Sequence, residues 1–399
     1  MVAKKYVLTL AYGSLSGAEI ESYFTNLSLN YKVVGRVGRC LIIEAAELTP
    51  QIWSGLAGVH KVAEVFAEAD RGEELNLDLL ADLASDKMKW AVSTYSDSRN
   101  SAEEFAETLL QSLKEAFKAW GVIKTKLLRG ELRRVDSSWE YEVSSQRLQK
   151  ERVVDEGVEV LAVHYKNWLI GRTVAVVDHL GYRQRDLERP IQDPKITIPP
   201  KLARILVNLT GCKKGDTLLD PFCGIGTILA EAVMCGVNVI GVDADPTRVE
   251  GARRNLRWLL QQYEIKDVKV EVHLGYAERL HKILRGKVVD GVATEPILLP
   301  PLKHPPLDQE AERMLERSSE TYYNSLPSIS KHLKPEGRVA IVTPSIKTGS
   351  RHILSFDLTK EAAKVGLRLY HLHSVEKFPI LVEDPTQRVM RGVYLFKKV

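Results

Sequence analysis

The segment best suited to bind a ligand is a glycine turn that follows a short apolar run. Residues 220–227 read Asp-Pro-Phe-Cys-Gly-Ile-Gly-Thr, and a second apolar run ends at Asp243. Gly224 and Gly226 remove side chains where the backbone must pass close to a ligand, and an acid about 20 residues further along the chain suits a ribose hydroxyl. The pattern predicts a strand, a turn, a helix and a second strand that together bind a nucleoside.

The residues of the turn leave more than one interpretation open. Two glycines after a strand are often only a tight connection, in which case the turn binds nothing. A dinucleotide site normally has a third glycine for packing the helix on the strand, and that glycine is absent here. S-adenosylmethionine carries a sulfonium and an ammonium group but no phosphate, so a carboxylate such as Asp220 suits it better than a helix dipole. We therefore expect S-adenosylmethionine rather than NAD.

The composition is that of a globular protein with more than one domain. A length of 399 residues predicts two or three domains, and 44% apolar with 27% charged residues is typical of soluble proteins. The chain has no apolar run long enough to span a bilayer and no signal-peptide core, so we expect no membrane contact and a cytoplasmic location. Cysteines at positions 40, 212, 223 and 235 form no Cys-x-x-Cys pair, and we expect no bound metal.

Hydrophobic periodicity divides the chain into segments that would position these residues. Residues 4–66 predict a β-α-β-β-α-β unit, and residues 90–120 predict a strand followed by an amphipathic helix. Runs at 268–274, 288–294 and 337–343 predict further strands, the last preceded by a turn at 334–337, and runs at 367–375 and 393–397 predict an antiparallel pair. Strands alternating with helices predict a mostly parallel sheet that binds its ligand at the carboxyl edge.

Several further motifs make the chain resemble a known family. They read Gly-Arg-Thr-Val-Ala-Val at 171–176, Arg-Asp-Leu at 185–187 and Pro-Pro-Lys-Leu-Ala-Arg at 199–204. Together with the glycine turn, they resemble the archaeal and eukaryotic THUMP-domain tRNA (guanine-N2) methyltransferases. The resemblance implies an α/β protein with an N-terminal ferredoxin-like domain at 1–78, a THUMP RNA-binding domain at 79–178, a linker at 179–200 and a Rossmann-like class I methyltransferase domain at 201–399.

The resemblance also implies how the cofactor is held. In this family the acid after the second strand binds the ribose, which corresponds to Asp243, and an Asp-Ala pair after the third strand contacts the adenine. This chain has Tyr276-Ala277 there, so backbone at Ala277 would address the adenine edge and Tyr276 would cover the ring. The expected cofactor contacts are Asp220, Phe222, Gly224, Gly226, Thr227, Asp243, Ala244, Tyr276 and Ala277.

The expected methyl-acceptor site follows the fourth strand. Exocyclic aromatic amines are poor nucleophiles because their lone pair is delocalised, so an enzyme must orient the amine toward the methyl group. The family uses Asp/Asn-Pro-Pro-Tyr/Phe, and this chain has Thr-Glu-Pro-Ile at 294–297. We expect Glu295 to accept from N1–H and N2–H of guanine, the Pro296 carbonyl to be a second acceptor, and Ile297 to replace the aromatic platform. The alternative is that Glu295 only caps the following turn and catalysis has been lost.

Basic residues are dense in the predicted RNA-binding segment. Such a run is either a solvated face or a set of phosphate contacts. In the linker, Arg183, Arg185 and Arg189 could bind RNA phosphate or form ion pairs with Asp186 and Glu188. The residues predicted to position tRNA are Lys124, Lys126, Arg129, Arg133, Arg134, Arg147 and Arg172.

The sequence thus predicts an S-adenosylmethionine-dependent methyltransferase that acts on N2 of guanosine in tRNA, with position ten implied by the resemblance. One alternative is a non-catalytic tRNA-binding homologue, because the acceptor and adenine motifs depart from the family pattern. Another is a DNA amino-methyltransferase, since Asp-Pro-Phe-Cys-Gly also occurs in that chemistry. Related enzymes can work with a small zinc-binding activator subunit, which we keep as a possible partner beside tRNA.

Overall fold

The computed structural model describes residues 3–70, 73, 75–193, 198–296, 298–300, 302–382 and 388–399. The chain forms two compact units, one of residues 1–11 and 28–180 and the other of residues 12–27 and 181–399. The division into four segments at residues 78, 178 and 200 stays a prediction. Among the described residues, no helix is long and apolar enough to cross a membrane.

The helices and strands alternate along most of the chain. The helices are α1 (Ser14–Asn26), α2 (Pro50–Ser54), α3 (Arg99–Ala119), α4 (Ser145–Lys150), α5 (Val153–Glu156), α6 (His179–Leu187), α7 (Pro200–Thr210), α8 (Thr227–Met234), α9 (Pro246–Gln262), α10 (Leu280–Leu284), α11 (Asp308–His332) and α12 (Thr359–Lys364), with 3₁₀ turns at Asp78–Leu83 and Ala277–Arg279. The strands are β1 (Lys4–Leu10), β2 (Tyr31–Val37), β3 (Cys40–Ala45), β4 (Val59–Ala69), β5 (Lys87–Ser96), β6 (Lys124–Leu128), β7 (Glu131–Val135), β8 (Ser138–Glu142), β9 (Gly157–His164), β10 (Trp168–Val176), β11 (Thr217–Asp220), β12 (Asn238–Asp243), β13 (Val270–Leu274), β14 (Val289–Thr294), β15 (Leu333–Lys347), β16 (Ile353–Ser355), β17 (Leu367–Leu369), β18 (Ile380–Val382) and β19 (Val389–Lys398).

The first unit is built on one sheet of strands β1 to β10. Its order is β2-β3-β1-β4-β10-β9-β5-β8-β7, with β6 pairing β5. The predicted order β-α-β-β-α-β is confirmed for β1 to β4 and their helices. Strand β4 pairs with β1 on one side and β10 on the other, so the sheet is continuous across residue 78. Helix α3 covers one face with Leu109, Leu113 and Phe117, all buried, as its amphipathic pattern predicts.

A buried charge network lies inside this first unit. Lys61 is 0% exposed, and its Nζ lies 2.7 Å from Oε1 of Glu159, 3.1 Å from Oγ of Ser93 and 3.4 Å from Oε1 of Glu142. Burial raises the pKa of Glu142, but Lys61, Arg39 and Arg133 outweigh it and hold that pKa at about 2. The Glu142 carboxylate therefore stays ionised because cations lie beside it.

The second unit is built on a mostly parallel sheet. Its order is β13-β12-β11-β14-β15-β19-β17, with β16 pairing β15 and β18 pairing β19. Strands β11 to β15 pair in parallel and β19 is antiparallel, which confirms the predicted parallel sheet and the antiparallel pairing of β17 with β19. The order reverses between β11 and β14, which is where ligands bind in sheets of this kind. The turn predicted at 334–337 falls within the bounds of β15, but β14 pairs with Leu333 and then only from Arg338, and Glu336 has a φ of 66°, so these four residues bulge out of the pairing.

Helix α1 packs within the second unit although it lies between β1 and β2 in sequence. Its contacts with α7 include a 2.7 Å bond from Asn208 Nδ2 to Glu19 Oε1 and a 3.1 Å bond from Ser22 Oγ to the Asn208 carbonyl. Arg338 of β15 donates to Ser22 Oγ at 3.0 Å. Glu19 and Ser22 are both 0% exposed, so this polar surface is buried against α7 and the sheet.

The predicted linker begins as helix α6 and carries its arginines in ion pairs. Arg185 forms two bonds with Glu231 of α8, from Nε at 2.7 Å and from Nη2 at 3.2 Å. Arg189 lies 3.1 Å from Asp186 and also donates to the Thr227 hydroxyl at 2.8 Å. The sequence left RNA contact or ion pairing open for the linker arginines, and the structure shows ion pairing for Arg185 and Arg189. The partner of Arg185, Glu231, was not indicated by the sequence.

Candidate functional site

The glycine turn connects β11 to α8 at the carboxyl edge of the parallel sheet. Gly224 and Gly226 have φ of 52° and 90°, a backbone region that favours glycine. A Cβ at Gly226 would lie 3.3 Å from Cβ of Ala252 in α9, whereas a Cβ at Gly224 would meet no atom within 4 Å. Gly226 is therefore required for helix packing, and Gly224 leaves open space above the turn, as a close ligand would need.

Asp243 ends β12 beside this turn. Its Oδ2 accepts from the Gly224 N–H at 2.9 Å, and its Oδ1 accepts from the Asp245 N–H at 3.0 Å. Each carboxylate oxygen has a second acceptor site, so the side chain, 8% exposed, can still accept from hydroxyl groups of a ligand. Asp245 itself caps α9, because its Oδ1 accepts from the Thr247 N–H at 2.8 Å.

Asp220 lies at the end of β11 and is almost completely buried. Its Oδ1 accepts from the Thr294 hydroxyl at 2.6 Å and from the Phe222 N–H at 3.1 Å. Burial raises the pKa of Asp220 to about 7, and the negative charges of Asp243 and Glu295 act in the same direction. This carboxyl group therefore titrates near neutral pH, which is common at sites that bind a cation or transfer a proton.

Glu295 directly follows β14 and is held by an arginine from the antiparallel strand β19. Arg391 Nε lies 2.6 Å from Glu295 Oε1, and Arg391 Nη2 lies 3.3 Å from Oε2. Burial raises the pKa of Glu295 and the Arg391 charge opposes that shift. The carboxylate thus lies at the predicted edge of the sheet but is engaged in an ion pair. Pro296 is buried beside it, and Ile297 lies outside the described residues.

Tyr322 of α11 adds a buried hydroxyl group to the same region. The side chain is 0% exposed, and its hydroxyl has no hydrogen-bond partner among the described residues. Burial and then the negative charge of Glu295 raise the pKa of Tyr322. The hydroxyl therefore stays protonated and able to donate.

Tyr276 stands at the end of β13 with most of its ring accessible. It is 58% exposed, whereas the neighbouring Ala277 is buried. The Arg279 guanidinium lies 5.9 Å from the ring centroid, and a cavity of about 510 Å³ is lined by Tyr276, Glu278, Arg279 and Asn324. An exposed ring beside a cavity can cover a planar ligand, as expected for Tyr276.

The structure places the predicted cofactor residues around one edge of the sheet, with one difference. Asp220, Phe222, Gly224 and Asp243 are joined by the hydrogen bonds of the turn, and Ala244 is exposed next to Asp243. The Thr227 hydroxyl instead accepts from Arg189, so it is engaged on the helix side of the turn.

The predicted RNA-binding residues lie in the first unit and differ in how far they are engaged. Lys126 lies 2.7 Å from Glu151, and Arg133 pairs with Glu140 and Glu142. Arg147 donates to the backbone carbonyl of Arg129 at 2.9 Å, and both residues are exposed. Lys124 and Arg134 are exposed on β6 and β7, and Arg172 is half-buried in β10.

Sequence reasoning missed Arg391, Tyr322 and the bond from Thr294 to Asp220. Arg391 lies 96 residues from Glu295 and follows no recognisable motif, so only the pairing of β15 with β19 brings it to this edge. Thr294 belongs to the acceptor motif at 294–297, and its position one residue before Glu295 could have indicated that it contacts Asp220.

Two family models match the chain. The one described as "RMKL-like, methyltransferase domain" matches residues 189–369, and the one described as "DNA methylase" matches residues 49–254, just over half of the chain. Both descriptions name methyltransferases, and both matches include the glycine turn and Asp243.

Curated relatives match along part of the chain. The tRNA (guanine(10)-N2)-dimethyltransferase of Methanothermobacter thermautotrophicus is 35% identical over 178 residues, which are 44% of this chain and 47% of the relative. The enzyme of the same name from Pyrococcus abyssi is 33% identical over 181 residues, 45% of this chain and 46% of the relative. The chain thus spans about half the length of the curated relatives it matches.

The fold is shared with a solved structure over the full length. TrmN from Thermus thermophilus superposes with a TM-score of 0.56 at 16% identity, covering 99% of this chain and 100% of that chain. The predicted α/β fold with a Rossmann-like methyltransferase domain is thereby confirmed. The chain belongs to the methyltransferase family whose model, described as "DNA methylase", matches residues 49–254. Its curated relatives confirm the resemblance to tRNA guanine-N2 methyltransferases that the sequence indicates.

Proposed function

We propose that the protein methylates the exocyclic N2 of guanosine in tRNA with S-adenosylmethionine, at position ten as in the names of its curated relatives. The observation that carries this proposal is the meeting of two groups at one sheet edge. The open glycine turn beneath Asp243 suits a nucleoside cofactor, and a carboxylate one residue beyond β14 suits an amine acceptor. The Thr294 to Asp220 bond joins the two groups.

The residues of the turn fit the cofactor. Open space at Gly224 allows the cofactor to approach the backbone, Asp243 has acceptor sites left for the ribose, and Tyr276 would cover the adenine. Asp220 would stabilise its positive charge. When bound, S-adenosylmethionine supplies an electrophilic methyl group on a sulfonium centre.

The acceptor residues would orient the amine. Glu295 would accept from the N1–H and N2–H of guanine, and the Pro296 carbonyl would accept the remaining N2–H, which aligns the nitrogen lone pair with the methyl group. Glu295 also stabilises the positive charge that develops on nitrogen as the new bond forms, and the lost proton passes to this carboxylate or to water. Ile297 belongs to the same proposal as an apolar wall.

The first unit would position the tRNA. The proposed phosphate contacts are Lys124, Lys126, Arg129, Arg133, Arg134, Arg147 and Arg172. The stronger candidates among them are the exposed residues that form no ion pair with any described residue. Action in the cytoplasm and a small zinc-binding activator subunit are part of the same proposal.

Labelled S-adenosylmethionine and an unmodified tRNA transcript test the proposal. After incubation with the protein, digestion to nucleosides should yield N2-methylguanosine, and a transcript with adenosine at position ten should yield none. Product with adenosine at position ten would disprove the proposed position. An absence of product with the matched activator added would disprove the activity.

A non-catalytic tRNA-binding protein is the second candidate, because Arg391 already engages the carboxylate that should receive the amine. It predicts binding of tRNA and cofactor without methyl transfer. Double-stranded DNA as acceptor tests the third candidate, a DNA amino-methyltransferase, which the description of the longer family model favours.

A further inference from the structure

The ion pair between Glu295 and Arg391 occupies the place where the acceptor base should arrive. Thr294 pairs with Ile341 of β15, and Pro344 of β15 pairs with Arg391, so Arg391 lies beyond the carboxyl end of β14 at the same edge. The side chains of Glu295 and Arg391 are 8% and 19% exposed. Both groups are therefore largely shielded from water but still accessible to a ligand.

Neither member of the pair is saturated by the other. A carboxylate has about four acceptor sites and Arg391 uses two of them, so Glu295 can accept two further hydrogen bonds. On Arg391, Nε and Nη2 donate to Glu295, while Nη1 has no hydrogen-bond partner among the described residues. The pair thus presents acceptors and donors side by side.

That arrangement matches the Watson–Crick edge of guanine. Guanine presents N1–H and N2–H as neighbouring donors and O6 as an acceptor beside them. Adenine presents an amine donor at C6 and an unprotonated acceptor at N1, which would face the Glu295 carboxylate. We propose that Arg391 is a specificity-determining residue that donates from Nη1 to guanine O6 while Glu295 accepts from N1–H and N2–H. The proposal rests on the proposed function and names the base-reading groups of that site.

The chemistry of the pair explains why an arginine stands here. An isolated carboxylate at this depth would be driven toward its neutral form, and a neutral carboxyl group is a weaker acceptor. The guanidinium opposes that rise in the pKa of Glu295 and holds the carboxylate in one orientation through two bonds. Nη1 of Arg391 then remains available to donate to the base.

A substrate analogue can distinguish the two roles of Arg391, which are a direct hydrogen bond to guanine O6 and the orientation of Glu295. A tRNA carrying 2-aminopurine at the target position keeps the C2 amine but lacks both O6 and N1–H. Single-turnover methylation would be compared on the guanosine and 2-aminopurine transcripts with the wild type, Arg391→Met and Arg391→Lys. Arg388→Met is the matched control, because it removes a nearby charge on the same edge that makes no hydrogen bond or ion pair with Glu295 among the described residues.

We expect Arg391→Met to slow methylation of guanosine by about 10- to 100-fold, the effect of losing a charged hydrogen bond of about 1.5–3 kcal/mol. Its rate on 2-aminopurine should fall less, because only the support of Glu295 is lost on that analogue, so the preference for guanosine narrows. Arg391→Lys should restore part of the preference, and Arg388→Met should leave the ratio of the two rates unchanged.

Equal losses on both transcripts would show that Arg391 only supports Glu295 and would overturn the proposal, as would an unchanged rate on guanosine. If Arg391→Met does not fold, the wild type alone decides: equal rates on guanosine and 2-aminopurine would overturn the proposal. No product from guanosine with wild-type protein would instead mean that the proposed function itself is wrong.

Discussion

The Thr294 hydroxyl donates a 2.6 Å hydrogen bond to Oδ1 of Asp220, which joins the ends of β14 and β11. One end carries the acceptor motif and the other carries the glycine turn, so a single buried bond sets the spacing between the two proposed subsites. Because the pKa of Asp220 is about 7, protonation of this carboxylate near neutral pH should change its hydrogen bond with Thr294.

Binding of S-adenosylmethionine should strengthen as the pH rises through 7. The pKa of Asp220 is about 7 in the free protein, and a nearby sulfonium or ammonium favours its ionised form, so binding releases a proton. Calorimetry between pH 6 and 8 should show this rise, a smaller rise for S-adenosylhomocysteine, and a flat profile for Asp220→Asn. A pH-independent wild-type affinity would contradict the assignment.

The same shift affects folding with the opposite sign. An aspartate in the unfolded chain has a pKa of 3.8, so between this value and about 7 the folded state binds more protons than the unfolded state, and the contribution of Asp220 to stability is full below 3.8. It is lost as the pH rises through about 7, and Asp220→Asn should remove this dependence from the free energy of unfolding.

Gly224→Val should abolish cofactor binding without unfolding the first unit. Its φ of 52° strains a β-branched residue, and the side chain would fill the open space above the turn. Calorimetry measures the loss of binding, and circular dichroism reports the fold. Gly121→Val, at a left-handed glycine with equally open surroundings in the first unit, is the control that should keep full binding.

Glu295→Gln should lower turnover by about 100-fold or more, the scale for losing a positioned charged group at the reacting atom. The amide keeps some hydrogen-bonding capacity but cannot balance Arg391 or the charge that develops on the amine. Single-turnover methylation and filter binding should show this loss with tRNA and cofactor affinity nearly unchanged. Glu312→Gln, at an exposed carboxylate of α11, should behave as wild type.

Lys124→Ala should weaken tRNA binding, whereas Lys126→Ala should change it little. Both residues lie on β6, but Lys126 is 2.7 Å from Glu151, whereas Lys124 forms no ion pair within the part of the chain that the structure describes. Combining Lys124→Ala with Arg129→Ala and Arg134→Ala should reduce the salt slope of binding by about 2–3 units, near one per phosphate contact. An unchanged slope would mean that this surface is only solvated.

Lys61→Met should destabilise the first unit by about 3–5 kcal/mol, because it leaves Glu159 and Glu142 buried with less compensating charge. Lys4→Met, which breaks a surface ion pair with Glu47 and Glu64, should change the stability far less, because exposed ion pairs contribute little. Urea unfolding measures both changes. A loss for Lys61→Met no larger than that for Lys4→Met would show that the network adds little.

Local patterns explain which parts of the molecule could be predicted. The glycine turn, Asp243 and β14 are each specified within a few residues by strand periodicity and turn chemistry, and they lie at one edge as expected. Arg391 could not be predicted, because an antiparallel strand brings it to Glu295 from 96 residues away. The start of β15 differs from the prediction because Leu333 already pairs with β14, while Pro335 and Gly337 lie in a bulge before the regular pairing resumes at Arg338.

The membership of α1 in the second unit has a consequence for exchanging parts between relatives. The methyltransferase unit is discontinuous in sequence, and its missing piece, residues 12–27, lies between two strands of the other unit. A chimera joined at residue 181 would take α1 from one relative and α7 from the other. The hydrogen bond between residues 19 and 208 would then form only if both relatives carry compatible side chains at these positions. Residues at these two positions should therefore covary among homologues, and a catalytic fragment cut at that junction should expose apolar surface and aggregate.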